Sequence, residues 1–208
     1  MSIDGEEWHR MWAALGAQSI HGGLFNQLVR AWGEPQRHYH TLQHLRECLA
    51  HLEAASSLAR HPTEVELALW FHDAVYDPKR QDNEQRSADW ARESVRAAGC
   101  SSAVGERVAA LVLATAAHEA PADDPDTQLL LDIDLAILGA GPARFAEYER
   151  QVRAEYAHVP EADWRRRRAG LLAGFLARPR IYTTAPFHDA LEGRARANLA
   201  QSIASLQG

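Results

Sequence analysis

Glu66-Leu67-Ala68-Leu69-Trp70-Phe71-His72-Asp73-Ala74 is the stretch whose reading decides the fold. Only Glu66, His72 and Asp73 ionise within it, and the remaining positions make a helix that is apolar nearly all round. Such a helix belongs in a core. An unpaired carboxylate there would cost several kcal/mol, so Asp73 needs a cation, an ion pair or a strong hydrogen-bond network. A divalent-metal site centred on His72 and Asp73 meets that need; so does a His–Asp pair satisfied by a neighbouring arginine.

Outward from this segment, helical signals recur to both ends and alternating strand patterns are scarce, which predicts an all-α fold. Helices are expected over 4–16, 21–33, 39–59, 63–76, 83–98, 102–118, 125–138, 142–157, 161–177 and 187–205. Asp82 with Gln85 reads as a capping box, Asp124-Pro125 as an N-cap followed by an N1 proline, and Gly141-Pro142 as another helix start. Gly99 and Gly139 each follow an apolar stretch as C-terminal stops. With 208 residues and no linker or repeat, one compact domain spanning 1–208 is the simplest organisation.

The composition excludes several classes of function. Apolar residues at 46% and charged residues at 24% suit a globular protein and give no transmembrane span, so no membrane partner is expected. A net charge of −6 argues against general nucleic-acid binding, which needs Lys and Arg to neutralise phosphates. Cys48 and Cys100 are too few for a disulfide framework and lack CxxC spacing, and no secretory signal is visible, so a reducing cytoplasm is the expected compartment. The compositional oddity is eleven histidines, a residue suited to metal ligation.

Their placement selects among them. In Arg37-His38-Tyr39-His40-Thr41-Leu42-Gln43-His44-Leu45, His40 and His44 share a face if the helix has begun by His40. His51 shares the face of His44 but lies roughly 10 Å along the axis, too far to ligate the same ion. With His9, His21, His38, His61 and His188 it reads as a surface or packing residue. Downstream, Asp132 and Asp134 in Leu129–Gly139 cannot both face one way. Asp134, flanked by Leu130, Leu131, Ile137 and Leu138 at helical spacing, reads as the more core-directed acid and the candidate ligand.

An early His, an adjacent His-Asp and a later Asp, all on helices, resemble the HD-domain metal-dependent phosphohydrolase superfamily. That resemblance implies that His44, His72, Asp73 and Asp134 ligate one divalent ion. Tyr39-His40-Thr41-Leu42-Gln43-His44 is also similar to the start of the metal site in class I cyclic-nucleotide phosphodiesterases, which implies that His40 is a general acid and His44 a ligand. A closer similarity, to a bacterial subfamily of predicted HD phosphohydrolases, runs through most of the chain: RHYHTLQHL, ALWFHDAVYDPKRQDNEQRSA, ATAAH, LDIDLAILG, QVRAEYAHVP and FLARPRIYTT. It implies a compact helical bundle that hydrolyses a phosphoester by metal-activated water, acting on a small phosphorylated substrate, nucleotides included. No later motif marks a nucleotide-clamping Gln, which argues against a cyclic nucleotide.

Mixed imidazole and carboxylate donors suit Mn, Fe, Co, Ni or Zn better than Ca, with Mg also within the range of such an enzyme. In that chemistry Asp73 would orient the nucleophile while ligating, and a protonated His40 would donate to the leaving alkoxide. Glu84 begins an inward stripe with Ser87, Ala88, Ala91, Val95 and Ala98; it would orient water or hold a second ion, or simply be a favourable first-turn acid. His118 continues the face of Val104, Val108, Leu111 and Thr115, as a phosphate contact or a helix-terminal residue. Arg37, Arg86 and Arg180 are the candidate phosphate cations, whereas the run Arg165–Arg168 points in every direction and reads as a solvated face. Two rival functions remain open. One is a metal-binding or ligand-sensing domain without catalysis. The other is a di-iron carboxylate bundle built on the ExxH spacings Glu6–His9 and Glu155–His158.

Overall fold

The computed structural model describes residues 3–20 and 22–208; His21 lies outside them. Among the described residues 69% are helical and no strand is present, so the all-α class expected from periodicity is the class observed. Ten α-helices follow in order: α1 (Gly5–Ala14), α2 (Leu24–Trp32), α3 (Leu42–Ala55), α4 (Pro62–Phe71), α5 (Asn83–Ala97), α6 (Ser102–Ala114), α7 (Pro125–Asp134), α8 (Pro142–Glu155), α9 (Glu161–Leu176) and α10 (Ala185–Gln207). Short 3-10 segments follow α3 at Ser56–Leu58 and α7 at Leu135–Gly139. None of these helices is long and apolar enough to cross a membrane.

Contacts group the chain, read from its composition as one domain, into two compact units, Met1–Ile133 and Asp134–Gly208. In the first, α4 is the central helix: Val65 and Leu67 to Phe71 are all buried, and α1, α3, α5 and α6 pack around it. Burying a Leu or Phe of this kind contributes about 1.5–3 kcal/mol, so the position of α4 is strongly determined. The Trp70 ring meets Trp8 edge to face at 5.0 Å and lies tilted against Phe25 at 5.8 Å, and the residue's main-chain carbonyl accepts from Trp32 Nε1 at 3.0 Å. Polar ties set the rotation and ends of the helix. Glu64 takes a bidentate pair from Arg107 on α6, both bonds 2.7 Å, while Asp126 on α7 accepts from the main-chain N–H groups of Arg60 and His61 and meets His61 Nδ1 at 2.7 Å. The start of α4 is thereby pinned to the start of α7.

The second unit is built around the 3-10 turn after α7 and around α8, α9 and α10. Gly139 is required there by proximity, because a Cβ would stand 2.6 Å from Leu191 Cβ and 2.9 Å from its carbonyl oxygen. Arg194 Nε donates to Gly139 O at 2.9 Å, and Asn198 Nδ2 donates to Leu138 O and Ala140 O at 2.8 and 3.0 Å. These side chains satisfy carbonyls that the tight turn leaves without helical partners.

Several local expectations are corrected. Asp82 makes no side-chain cap to α5; its carboxylate is taken by Arg80, with both bonds at 2.6 Å. Asp124 does cap α7, accepting from Thr127 N, and Pro142 does open α8. Gly99 adopts a left-handed φ of 74° after α5, as a C-terminal stop should, whereas Gly139 is a packing glycine. Three boundaries matter to function. The helix α3 begins at Leu42, not 39; α4 ends at Phe71, not 76; and α6 ends at Ala114, not 118.

Candidate metal centre

The end of α4 explains how a His-Asp dipeptide can turn two side chains to one place. His72 is the C-cap of the helix, and Asp73 lies in the turn beyond it, so the pair has left the regular helical rotation. The His72 ring is 1% exposed, and its Nδ1 lies 2.8 Å from Leu69 O. A carbonyl can only accept, so Nδ1 carries the proton and donates it. In the neutral ring Nε2 then presents a lone pair. That Nε2 stands 3.2 Å from His44 Nε2 and 3.1 Å from Asp73 Oδ2, while His44 Nε2 is 3.9 Å from the same Oδ2.

His44 comes from the first turn of α3 and is 2% exposed. Thr41 caps that helix through Gln43 N, which leaves His40 in the preceding turn rather than on the face of His44. His40 nevertheless stays beside the cluster. Its half-buried ring stands 6.0 Å from that of His44 and 4.2 Å from Tyr76. Tyr39 fills the buried side, its hydroxyl 3.0 Å from His44 Nδ1.

The donors that lie mutually within 4.8 Å are those of His44, Cys48, His72 and Asp134. Two ligands on one tetrahedral ion stand roughly 3.3–3.8 Å apart, given metal–ligand bonds of about 2.0–2.3 Å, so the spacing suits a single ion. Asp73 is outside this mutual set but reaches both histidines by the distances above. Cys48 was not selected from the sequence as a ligand. Its signal was the spacing His44-x-x-x-Cys48, one helical turn on α3, and its Sγ lies 3.7 Å from both ring nitrogens of His44.

Asp134 joins the cluster, but not because its flanking residues turn it inward. Asp132 is the more buried acid, at 1% exposure, and Asp134 is half-buried. From Asp126 to Ile133 nearly every residue of α7 is buried, so its apolar neighbours do not define one inward face. The 3-10 turn beginning at Leu135 also breaks the helical counting that paired Asp134 with Ile137 and Leu138.

Arg37 proves to be a strut. Its guanidinium donates to Glu34, to the main-chain carbonyls of His40 and Asp73 at 3.2 and 2.6 Å, and to Ala74 O at 3.1 Å. It lies over the rings of Trp32 and Tyr76, at 5.6 and 5.4 Å from their centroids. Committed in this way and only 5% exposed, it ties the turn before α3 to the turn after α4 instead of standing free for phosphate. Glu84 is half-buried at the start of α5; Arg86 is exposed, and after the hydrogen bond and charge of Arg80 its own charge helps hold the Asp82 carboxyl below its usual pKa. His118 lies beyond α6 with a left-handed φ of 50°, so it does not continue the helix face. Neither Glu84 nor His118 joins the ligand cluster among the described residues. Arg180 is exposed in the second unit, between α9 and α10.

The remaining candidates separate from the cluster. Glu6, His9 and His158 are exposed, Glu155 is buried, and neither ExxH segment contributes to a group of three or more ligands among the described residues. The arginine run is divided: Arg165 donates to Leu206 O and Ser205 O at the end of α10, Arg166 pairs with Asp163, and Arg168 is buried. Comparison with protein-family models, with curated proteins and with solved structures finds no match in any of the three.

Proposed function

We propose that the chain is a divalent-metal-dependent phosphohydrolase of HD-domain type, with His44, His72, Asp73 and Asp134 as ligands and His40 as proton donor. The observation that carries this reading is the contact between His72 Nε2 and Asp73 Oδ2 at 3.1 Å. With Nδ1 donating to Leu69, a neutral His72 would oppose its lone pair to a carboxylate, acceptor against acceptor. A cation between them removes that opposition. A second proton on His72 would charge a ring that is 1% exposed and would also face His44 Nε2 at 3.2 Å. A divalent cation satisfies all three groups together.

When bound, such an ion supplies Lewis acidity toward a phosphoryl oxygen and a lowered pKa for water. The chain's own residues supply position. Arg37 fixes the main chain at His40 and Asp73, so the donor and the ligating acid keep a constant separation. Tyr76 holds the His40 ring by stacking and leaves it partly open to solvent, where it can take up a proton and pass it to a departing alkoxide. The substrate class is a small phosphoester, with nucleotides included.

The test is a metal-supplemented screen of nucleotides and general phosphoesters. Turnover should vanish in the His72→Ala, Asp73→Ala variant; equal residual turnover in that control would refute the reading. His44→Ala should lose the ion, whereas His40→Ala should keep it and lose about 10²–10⁴ in rate. A second reading, an ion site without catalysis, is favoured by Cys48, because four protein donors are enough to close a tetrahedral ion against substrate.

A further inference from the structure

The metal reading above leaves one cluster member unused. Cys48 is 1% exposed, sits one turn below His44 on α3, and places its sulfur with the ligand atoms of His44, His72 and Asp134 inside the 4.8 Å group. Asp73, by contrast, keeps 17% of its side chain exposed. One pair of histidines therefore serves two further donors of opposite chemistry, a soft sulfur on the buried side and a hard, partly exposed carboxylate.

Resting on that metal reading, we propose that Cys48 is a ligand for thiophilic ions, so that the centre has two donor sets. Cadmium, zinc and cobalt(II) take His44, His72, Cys48 and Asp134. Manganese and magnesium, which bind thiolate poorly, take His44, His72, Asp73 and Asp134. Coordination through Cys48 deprotonates the thiol and releases that proton to solvent, with no change in oxidation state. The consequence is selectivity. The sulfur set uses four protein donors and has no need of Asp73, so ion identity decides whether Asp73 ligates or stays available to a neighbouring group.

Cobalt(II) loading separates this proposal from the reading beneath it. The wild-type protein should bind one equivalent of cobalt and show a near-ultraviolet thiolate-to-cobalt charge-transfer band. Cys48→Ser should bind cobalt without the band, and Cys100→Ser should retain it, because Cys100 lies outside the cluster. In competition titrations Cys48→Ser should weaken cadmium by about tenfold or more and change manganese by less than about threefold. Cobalt binding without the band in the wild type would overturn the role of Cys48 and leave the metal site standing. Failure of cobalt, cadmium and manganese all to bind the folded wild type would overturn both. Circular dichroism of Cys48→Ser, with Cys48→Ala as a second variant, establishes that a lost band reports ligation and not unfolding.

Discussion

Arg168 in the second unit and His72 in the first are both nearly inaccessible, at 5% and 1% exposure, yet their surroundings differ in kind. Arg168 donates to Tyr148 Oη at 2.7 Å and to Glu149, whose other oxygen accepts from Ser202. Its charge also lies over the rings of Tyr148 and Trp164. Burial would lower the basicity of Arg168, but Tyr148 and Glu149 outweigh it and hold the guanidinium protonated. That centre is closed by protein groups at Nη2, donor to acceptor, although the buried Nε finds no acceptor among the described residues. Around His72 the facing atoms are imidazole nitrogens, carboxylate oxygen and sulfur, each of a type that ligates a divalent ion. A buried polar group is thus not a sign of function by itself; the sign is a gathering of metal-ligating atoms from separate helices.

The largest expected effect would come from breaking the closed centre. Arg168→Met leaves Glu149 without its buried cation and should cost about 3 kcal/mol in urea denaturation, toward the lower end for buried pairs because Glu149 is partly exposed. The double change Arg168→Met, Glu149→Leu should recover most of that loss. A single-variant cost below about 0.5 kcal/mol would place this pair among ordinary surface ion pairs and erase the contrast.

The open centre should respond to ions instead. A divalent ion at a free concentration of about 100 times its Kd should stabilise the wild type by about 2.7 kcal/mol in thermal or chemical unfolding. His72→Ala should abolish this gain, and the Arg168, Glu149 double variant should keep it. An equal gain in His72→Ala would mean that the ions bind elsewhere.

The sequence made the fold class and most of the centre legible for a simple reason: α4 is so apolar that the two polar residues just beyond its end stand out, and His44 and Asp134 precede and follow it on strongly helical segments. Three features escaped. Nothing in the composition of Ala74 and Val75 opposes a helix that continues past His72; the break comes from tertiary bonds, with Arg37 taking the carbonyls of Asp73 and Ala74 and Ser87 taking Val75 N. Arg37 read as a free cation because its acceptors are main-chain atoms, which carry no sequence signature. Cys48 carries no paired-cysteine signature of a zinc-type motif, because here a single Cys is spaced from a His by one turn.

A smaller effect sharpens the assignment of His44. For its Nε2 to face an ion, Nδ1 must hold the proton and donate it to Tyr39 Oη, 3.0 Å away. Tyr39→Phe removes that acceptor and should weaken the ion by about tenfold, equivalent to about 1.4 kcal/mol, with little change in the metal-free stability. Unchanged affinity would show that the hydroxyl donates to Nδ1 and that His44 turns a protonated Nε2 toward the cluster.

Glu66 offers the third way to bury a carboxyl group, with neither a matched cation nor a metal. Burial, reinforced by Glu7 and only partly offset by Arg10, pushes its pKa up to about 7 from an ordinary value of 4.5. The folded state therefore keeps a proton that the unfolded chain releases. The stabilising contribution is complete below pH 4.5, declines as pH rises toward 7, and is lost above it. Allowing for the partial exposure of the side chain, the loss between pH 5 and 8 should be about 1 kcal/mol. Glu66→Gln mimics the protonated form at every pH, so its stability should exceed that of the wild type at pH 8 and match it near pH 5. A wild-type profile as flat as that of Glu66→Gln would mean that Glu66 ionises freely in the folded protein. A half-buried carboxylate offset only by Arg10 would then have proved tolerable in the same unit, and the closeness of Asp73 to His72 would no longer by itself call for a cation.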